Sequence, residues 1–190
     1  MNGGIWRKEL ASRLKDLVIP VLPGTIFSSI AGELQLMADS YLRDGDHFAA
    51  GQDFVNALAS WSYALGWLDA GAVLGLIDAP GRDHQWIFRE VVLPAGTGFR
   101  LVEKTQRYDV LLSTAIEAAV AAPEPCTAIS GAANRFILVA RVFRDYGRYF
   151  HSSGKVPNAL GSFSYGHAWL DAGVRAGLLR IEGARDLFAV

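Results

Sequence analysis

The sequence predicts an all-α fold in which two tandem three-helix units pack on each other as an intramolecular pseudo-dimeric bundle. The first observation is a repeat: ALASWSYALGWLDAGAVLGL at 57–76 returns as ALGSFSYGHAWLDAGVRAGL at 159–178, an offset of 102 residues without a gap. The second is that apolar residues in and around both copies recur at the spacing of a helix. The third is a composition of 51% hydrophobic and 19% charged residues, which is ample for a packed core.

The first helix of each unit is predicted at 5–18 and at 101–121. Each range is followed by two prolines, which cannot continue a helix and which disfavour helical angles in the residue before them. These prolines are Pro20 and Pro23 in the first unit and Pro123 and Pro125 in the second.

The second helix is predicted at 26–50. Thr25 is its expected N-cap, because the hydroxyl can accept a hydrogen bond from a backbone N–H of the first turn. One apolar stripe at helical spacing runs along this helix and along its counterpart. It consists of Ile30, Leu34, Met37, Tyr41 and Phe48 in the first unit and of Ala132, Phe136, Val139, Phe143 and Phe150 in the second. Gly51 and Gly154 indicate the turns that follow.

The third helix is the repeated stretch itself. Asp53 is its predicted N-cap, and Pro157 suits the first turn of the second copy. Few positions of this helix are polar, so we expect it at the centre of each unit. Glycine inside a helix costs roughly 1 kcal/mol relative to alanine. We therefore expect another helix backbone to approach closely at Gly71 and Gly75.

These helices divide the chain into a first repeat at 1–77, a connecting segment at 78–106, a second repeat at 107–180 and a C-terminal tail at 181–190. The connecting segment has a β-branched and aromatic run followed by a Pro and Gly cluster. This composition favours either a short extended segment or a loop wrapped over the bundle. The tail is predicted to be a short ordered coil, with Phe188 either tucked in or frayed.

Composition limits the classes of partner and site. A net charge of −1 gives no electrostatic footprint for nucleic acid, so we do not expect it as a partner. No run of about 18 residues is uncharged and apolar enough to span a membrane. The single cysteine, Cys126, fits a reducing cytoplasm. Phosphate-binding loops, nucleophile elbows and metal-binding histidine pairs are not found, so we expect no cofactor and no metal.

The repeated stretch and the residues before it resemble an archaeal family called domain of unknown function 357. The matching positions in the first copy are Tyr63, Ala64, Gly66, Leu68, Asp69, Ala70, Gly71, Gly75 and Leu76. The second copy keeps Tyr165, Leu170, Asp171, Ala172, Gly173, Gly177 and Leu178, with Gly166 and Ala168 at the other two positions. The resemblance implies an all-helical bundle in an archaeal cytosol, and it implies no activity.

Asp69 and Asp171 are the first candidate site residues, because each lies within an otherwise apolar helix at the same repeat position. A buried carboxylate must be paired or hydrogen-bonded. The two carboxylates either meet at the repeat interface for acid–base work or metal binding, or each ties its helix to a neighbour. The second interpretation predicts that removing either one lowers stability by a similar amount.

Two further hypotheses involve histidine. His167 lies four residues before Asp171 on the same helix face, as either a proton relay or a structural histidine. Arg144 and His151 have a spacing similar to the Arg-x4-6-His motif of the helical ribonuclease and nucleotide-binding domains called HEPN. Either pair of residues would support an enzyme.

Four aromatic residues at helical spacing, Tyr63, Trp67, Tyr165 and Trp169, are candidates for a stacking platform that binds a ligand. Aromatic stripes of this kind more often belong to a core. The function we predict is a non-catalytic cytoplasmic scaffold or binding module that holds a protein partner or a small ligand between its repeats, with further oligomerisation left open. The alternative is a ribonuclease-like or nucleotide-processing enzyme that uses Arg144 and His151, or Asp69 and Asp171.

Overall fold

The computed structural model describes residues 4–81 and 87–189, and these residues confirm an all-α architecture. Their helices are α1 (Gly4–Lys15), α2 (Ile26–Ala50), α3 (Phe54–Val73), α4 (Gly98–Ala118), α5 (Ala128–Ser152) and α6 (Val156–Arg175). The chain also contains two short strands, β1 (Ala119–Ala121) and β2 (Leu179–Ile181), and a 3-10 helix (Arg185–Leu187).

The helix boundaries repeat with the sequence. Adding 102 to the bounds of α2 gives 128 and 152, the bounds of α5, and adding 102 to the bounds of α3 gives 156 and 175, the bounds of α6. The first helices differ, because α4 begins at Gly98, inside the predicted connecting segment, and is longer than α1.

Both predicted ends of the first helices were wrong. Helix α1 ends at Lys15 instead of Val18, and residues 119–121 are a strand instead of the last turn of α4. The cause is a long-range pairing that closes each unit. Val120 lies opposite Arg180 in the antiparallel β1–β2 ladder, and at the equivalent place in the first unit Val18 forms a bridge with Asp78. These backbone hydrogen bonds hold the chain extended where local propensity favours a helix.

The two units share one hydrophobic core. Helices α2 and α3 pack as one hairpin and α5 and α6 as another, and the hairpins meet through α3 and α6 at the centre of the molecule. Helix α1 packs on α3, whereas α4 packs mainly on α6. The core cluster contains residues from both units, among them Leu34, Trp67, Phe136 and Trp169. The predicted central position of the repeated helix is therefore confirmed.

The close helix approach occurs at a different glycine from the expected ones. A Cβ on Gly66 of α3 would lie 2.6 Å from the Cβ of Ala168 and 2.7 Å from the carbonyl oxygen of Tyr165, both on α6. Gly75 has φ +71° and lies just past the end of α3, where the left-handed conformation favours glycine. Gly71 faces the side chain of Ile77 instead of a helix backbone.

The predicted caps are confirmed. The Thr25 hydroxyl accepts a hydrogen bond from the N–H of Ser28, and the Asp53 carboxylate accepts one from the N–H of Asn56. Pro157 lies in the first turn of α6. In the tail, Phe188 is tucked in with 7% of its surface exposed.

The described part of the connecting segment, from residue 87 to α4, lies across the start of α6. The buried amide of Asn158 donates hydrogen bonds to the carbonyl oxygens of Ile87 and Arg89 and accepts one from the N–H of Val91. One side chain thereby docks this part of the loop on the bundle. Among the described residues, none of the helices is both long and apolar enough to cross a membrane.

Candidate functional site

Two reciprocal hydrogen bonds join the repeats across the α3–α6 interface. The hydroxyl of Tyr165 donates to the carboxylate of Asp69 at 2.6 Å, and the hydroxyl of Tyr63 donates to the carboxylate of Asp171. Both aspartates are buried, with 4% and 1% exposure. The structure thus places the two carboxylates in separate hydrogen-bond networks, each completed by the tyrosine of the other repeat.

On the Asp69 side, α1 supplies the balancing charge. Arg13, which is 1% exposed, forms a buried ion pair with Asp69. Burial lowers the pKa of the Arg13 guanidinium, but the charge and hydrogen bond of Asp69 raise the pKa above its ordinary value overall. The indole of Trp6 packs beside Gly161, where an added Cβ would lie 2.7 Å from the ring. Among the described residues, the buried side chains of Trp6 and Arg13 therefore occupy this side of the interface.

On the Asp171 side, the partners are different. Besides the bond from Tyr63, Asp171 accepts a hydrogen bond from the backbone N–H of Ala189 at 3.2 Å, and His167 Nε2 lies 3.8 Å from its carboxylate. Burial raises the pKa of Asp171, although His167, Tyr63 and the Ala189 N–H each act to lower it. The pKa of Tyr63 is raised well above its ordinary value, first by burial and then by the charge of Asp171, so the phenol stays protonated.

A cavity of about 240 Å³ lies next to Asp171, between the repeats. Its walls come from α2, α3, α4, α6 and the C-terminal tail. They are formed by Tyr41, Ala59, Ser60, Tyr63, Tyr108, Leu111, Ser164, His167, Asp171, Leu187 and Ala189. Tyr41, Leu111 and Ala189 are only half-buried, so the cavity reaches the surface.

The repeat register explains why this cavity is open and its counterpart is filled. The residue equivalent to Trp6 is Tyr108, and the residue equivalent to Arg13 is Ala115. A smaller ring and a methyl group thus replace the indole and the guanidinium that fill the Asp69 side. The signal is present in the sequence as a difference between the two copies, whereas a repeat is recognised by the residues that its copies share.

Ser164 lines the cavity, and its buried hydroxyl lacks a hydrogen-bond partner among residues 4–81 and 87–189. It is 1% exposed. A serine within a helix ordinarily donates to the carbonyl four residues earlier. Its repeat equivalent Ser62 does so, with Oγ 2.6 Å from the oxygen of Leu58, and Ser162 likewise bonds Asn158. A buried unpaired hydroxyl costs free energy unless a partner arrives.

The remaining candidate residues divide between the cavity and the core. Trp67, Tyr165 and Trp169 are buried in the core, with 0%, 2% and 4% exposure. Tyr63 and His167 line the cavity, and His167 Nε2 donates to the carbonyl oxygen of Leu187 at 2.8 Å. The histidine therefore fixes the tail beside the cavity.

Arg144 and His151 lie on α5, two turns apart on one face. Arg144 forms an ion pair with its neighbour Asp145 at 3.0 Å, and His151 is exposed in the last turn. Neither residue lines the cavity. Among the residues that the structure describes, no cluster of histidine, cysteine and acidic side chains has the arrangement of a metal site.

Comparison with known proteins agrees with the repeat. A single family model matches the chain twice, at residues 6–77 and 107–179, and its description is "Protein of unknown function (DUF357)". Neither the curated proteins nor the solved structures include a match to this chain. The two matched ranges cover most of the sequence and coincide with the helical units described above. The chain belongs to the family of unknown function 357 and contains two tandem copies of its domain.

Proposed function

We propose that the protein is a non-catalytic binding module that holds a small ligand in the cavity beside Asp171. The observation that carries this proposal is Ser164, which lines the cavity and whose buried hydroxyl has no hydrogen-bond partner in the part of the chain that the structure describes. The opposite side of the same interface satisfies its serine and fills its space with Trp6 and Arg13. On the open side, a ligand would occupy the space and provide the hydrogen-bond partner that the protein provides on the filled side.

The size of the cavity sets the size of the ligand. A volume of 240 Å³ corresponds to roughly eight liquid water molecules. It lies below the roughly 300–1,000 Å³ of pockets that take drug-sized molecules. The ligand is therefore a compact molecule, smaller than a nucleotide, which disfavours the nucleotide-processing alternative.

The polar groups of the cavity favour binding over acid–base chemistry. Asp171 and His167 are engaged by tail residues, and Asp171 also by Tyr63. Asp69 belongs to the separate Arg13 network, and among the described residues that line the cavity no second carboxylate accompanies Asp171. We place this binding module in the cytoplasm, because the lone Cys126 of the chain fits a reducing compartment.

The proposal is tested by filling the cavity. Ala59 lines it and is buried, whereas Ala50, at the exposed end of α2, is not part of it. The wild type, Ala59→Leu and the control Ala50→Leu would be purified from the native host and examined by native mass spectrometry, followed by identification of released molecules. We expect the wild type and Ala50→Leu to carry the same small molecule and Ala59→Leu to lack it.

Two outcomes would contradict the proposal. One is that Ala59→Leu retains the same molecule, which would place it elsewhere. The other is a wild type without any small molecule that co-purifies instead with a protein in a fixed ratio, which would favour a scaffold for protein partners.

A further inference from the structure

We infer that the ligand is a small organic cation, an amine or a guanidinium compound, whose charged group binds Asp171. This inference rests on the proposed function and specifies its ligand class. The protein itself provides the partners of the equivalent carboxylate, Asp69. On the Asp69 side, a tyrosine hydroxyl and a guanidinium together satisfy the buried carboxylate. On the Asp171 side the tyrosine is present, and Ala115 occupies the position of the arginine.

Within residues 4–81 and 87–189, the two cationic side chains that act on Asp171, His167 and Arg175, have other hydrogen-bond partners. His167 directs its Nε2–H to the carbonyl oxygen of Leu187, and this nitrogen stays 3.8 Å from the carboxylate. Arg175 donates to the carbonyl oxygen of Ala189 at 3.2 Å and lies 3.6 Å from Glu33. The pKa of Asp171 remains raised by burial in spite of both groups. An additional cation in contact would stabilise the ionised carboxylate.

The other walls of the cavity suit an organic cation. The rings of Tyr41 and Tyr63 lie 4.4 Å apart at 64°, beside the carboxylate, and aromatic faces attract ammonium and guanidinium groups. The ring of Tyr108 already has the ammonium of Lys104 at 4.9 Å from its centroid. Ser164 offers an oxygen that can accept an N–H. An anionic ligand would instead meet Asp171 in a buried setting, which is unfavourable.

The test compares probes of one shape and different charge on the full chain. n-Butylguanidinium and n-butylammonium would be titrated against the neutral n-butylurea and the anion butyrate, with amide and methyl shifts of Ala59 and Ala189 followed by NMR. We expect both cations to bind in the cavity at least about tenfold more tightly than the urea, with butyrate weakest. Asp171→Asn should remove this preference, and the exposed Asp145→Asn should retain it.

A measurement on the wild type keeps the inference testable if Asp171→Asn does not fold. n-Butylguanidinium keeps its charge across the accessible pH range, so its affinity should fall on acidification as Asp171, whose pKa is raised by burial, gains a proton. Burial raises the pKa of Tyr41 and of Tyr63, so both phenols stay protonated in this range. His167 and Arg175 are the other titratable or charged groups, among the described residues, that act on the carboxylate. The affinity of n-butylurea should stay constant.

The outcomes separate the ligand class from the binding function. Tighter cavity binding by the urea or by butyrate would overturn the inference and leave the binding module standing. An absence of cavity shifts with both cations would also overturn it. The proposed binding function is tested separately, by whether Ala59→Leu loses the native ligand. That experiment makes no assumption about the charge of the ligand.

Discussion

Two aspartates at equivalent positions have different tasks in this protein. Asp69 is part of a closed ion pair with Arg13 inside the core, whereas Asp171 borders a cavity and is covered by the tail. The repeat predicted equal environments for the two aspartates. Their environments differ, because the position of Arg13 on α1 corresponds to Ala115 on α4. Their replacement should therefore have unequal effects.

Asp69→Ala should destabilise more than Asp171→Ala. The first change leaves Arg13 buried without its carboxylate, and breaking a buried ion pair costs about 3–5 kcal/mol. The second leaves Tyr63 and the Ala189 N–H, which water in the cavity can reach in part, at a cost of about 1–3 kcal/mol. Urea midpoints would measure both, and Asp145→Ala, an exposed carboxylate, is the control. Equal midpoints for the two variants would show that the filled and open sides are energetically the same.

The raised pKa of Asp171 predicts a pH dependence of stability. The folded state holds the proton on Asp171 more tightly than the unfolded state, whose pKa lies near the ordinary 3.8. The folded state therefore loses stability as pH rises from this value through the folded pKa. The free energy of unfolding of the wild type, minus that of Asp171→Asn, should decrease over this interval, because groups that do not interact with Asp171 cancel in the difference. A difference that increases with pH would mean that the folded pKa is lowered.

Among the secondary-structure elements, the features that depend on neighbouring residues could be predicted from the sequence. Thr25 and Asp53 were recognised as N-caps because a capping side chain acts on a backbone N–H three residues away. The pairings of Val18 with Asp78 and of Val120 with Arg180 were missed. Each joins segments 60 residues apart, and strands of one to three residues are too short to show a period.

The glycines in and just after α3 also show how far a local sequence pattern can predict structure. Small residues recur along α3, and the pattern does not distinguish a packed glycine from one that ends the helix. The structure separates them: Gly66 meets Ala168, whereas Gly75 has a positive φ and no neighbour within 4 Å of an added Cβ. Only the path of the opposite helix determines which glycine is at the crossing.

Gly66→Ala should destabilise the protein, although alanine is the better helix former. The added Cβ would lie 2.6 Å from Ala168 and 2.7 Å from a backbone oxygen of Tyr165, and overpacking of this kind costs about 1–3 kcal/mol. Gly131→Ala, inside α5 with no atom within 4 Å of the new Cβ, is the matched control. It should stabilise by about 0.5–1 kcal/mol. Thermal or urea midpoints that move in the same direction for both variants would contradict the close approach of α3 and α6.

At the scale of the whole molecule, the site arises from the departure of one copy from the other. The fold could be predicted because both copies keep the apolar stripes and the threonine N-cap of their second helix, Thr25 and Thr127. The cavity is lined by Tyr108 of α4 together with residues of α6 and the tail, a juxtaposition that no local pattern reveals. Comparing Arg13 with Ala115 across the repeat offset would have indicated where the two units cease to be equivalent.

The two units should unfold together as one cooperative body. Helices α3 and α6 bury their faces against each other, and the core cluster crosses this interface, so neither hairpin keeps a closed core when the other unfolds. Hydrogen exchange read by mass spectrometry at increasing urea should give the same free energy of opening for slow amides of α3 and α6. Gly66→Ala lies on α3, yet it should lower the protection of α6 by the same amount. Amides of α6 that keep wild-type protection in this variant would show that each repeat is an independent domain.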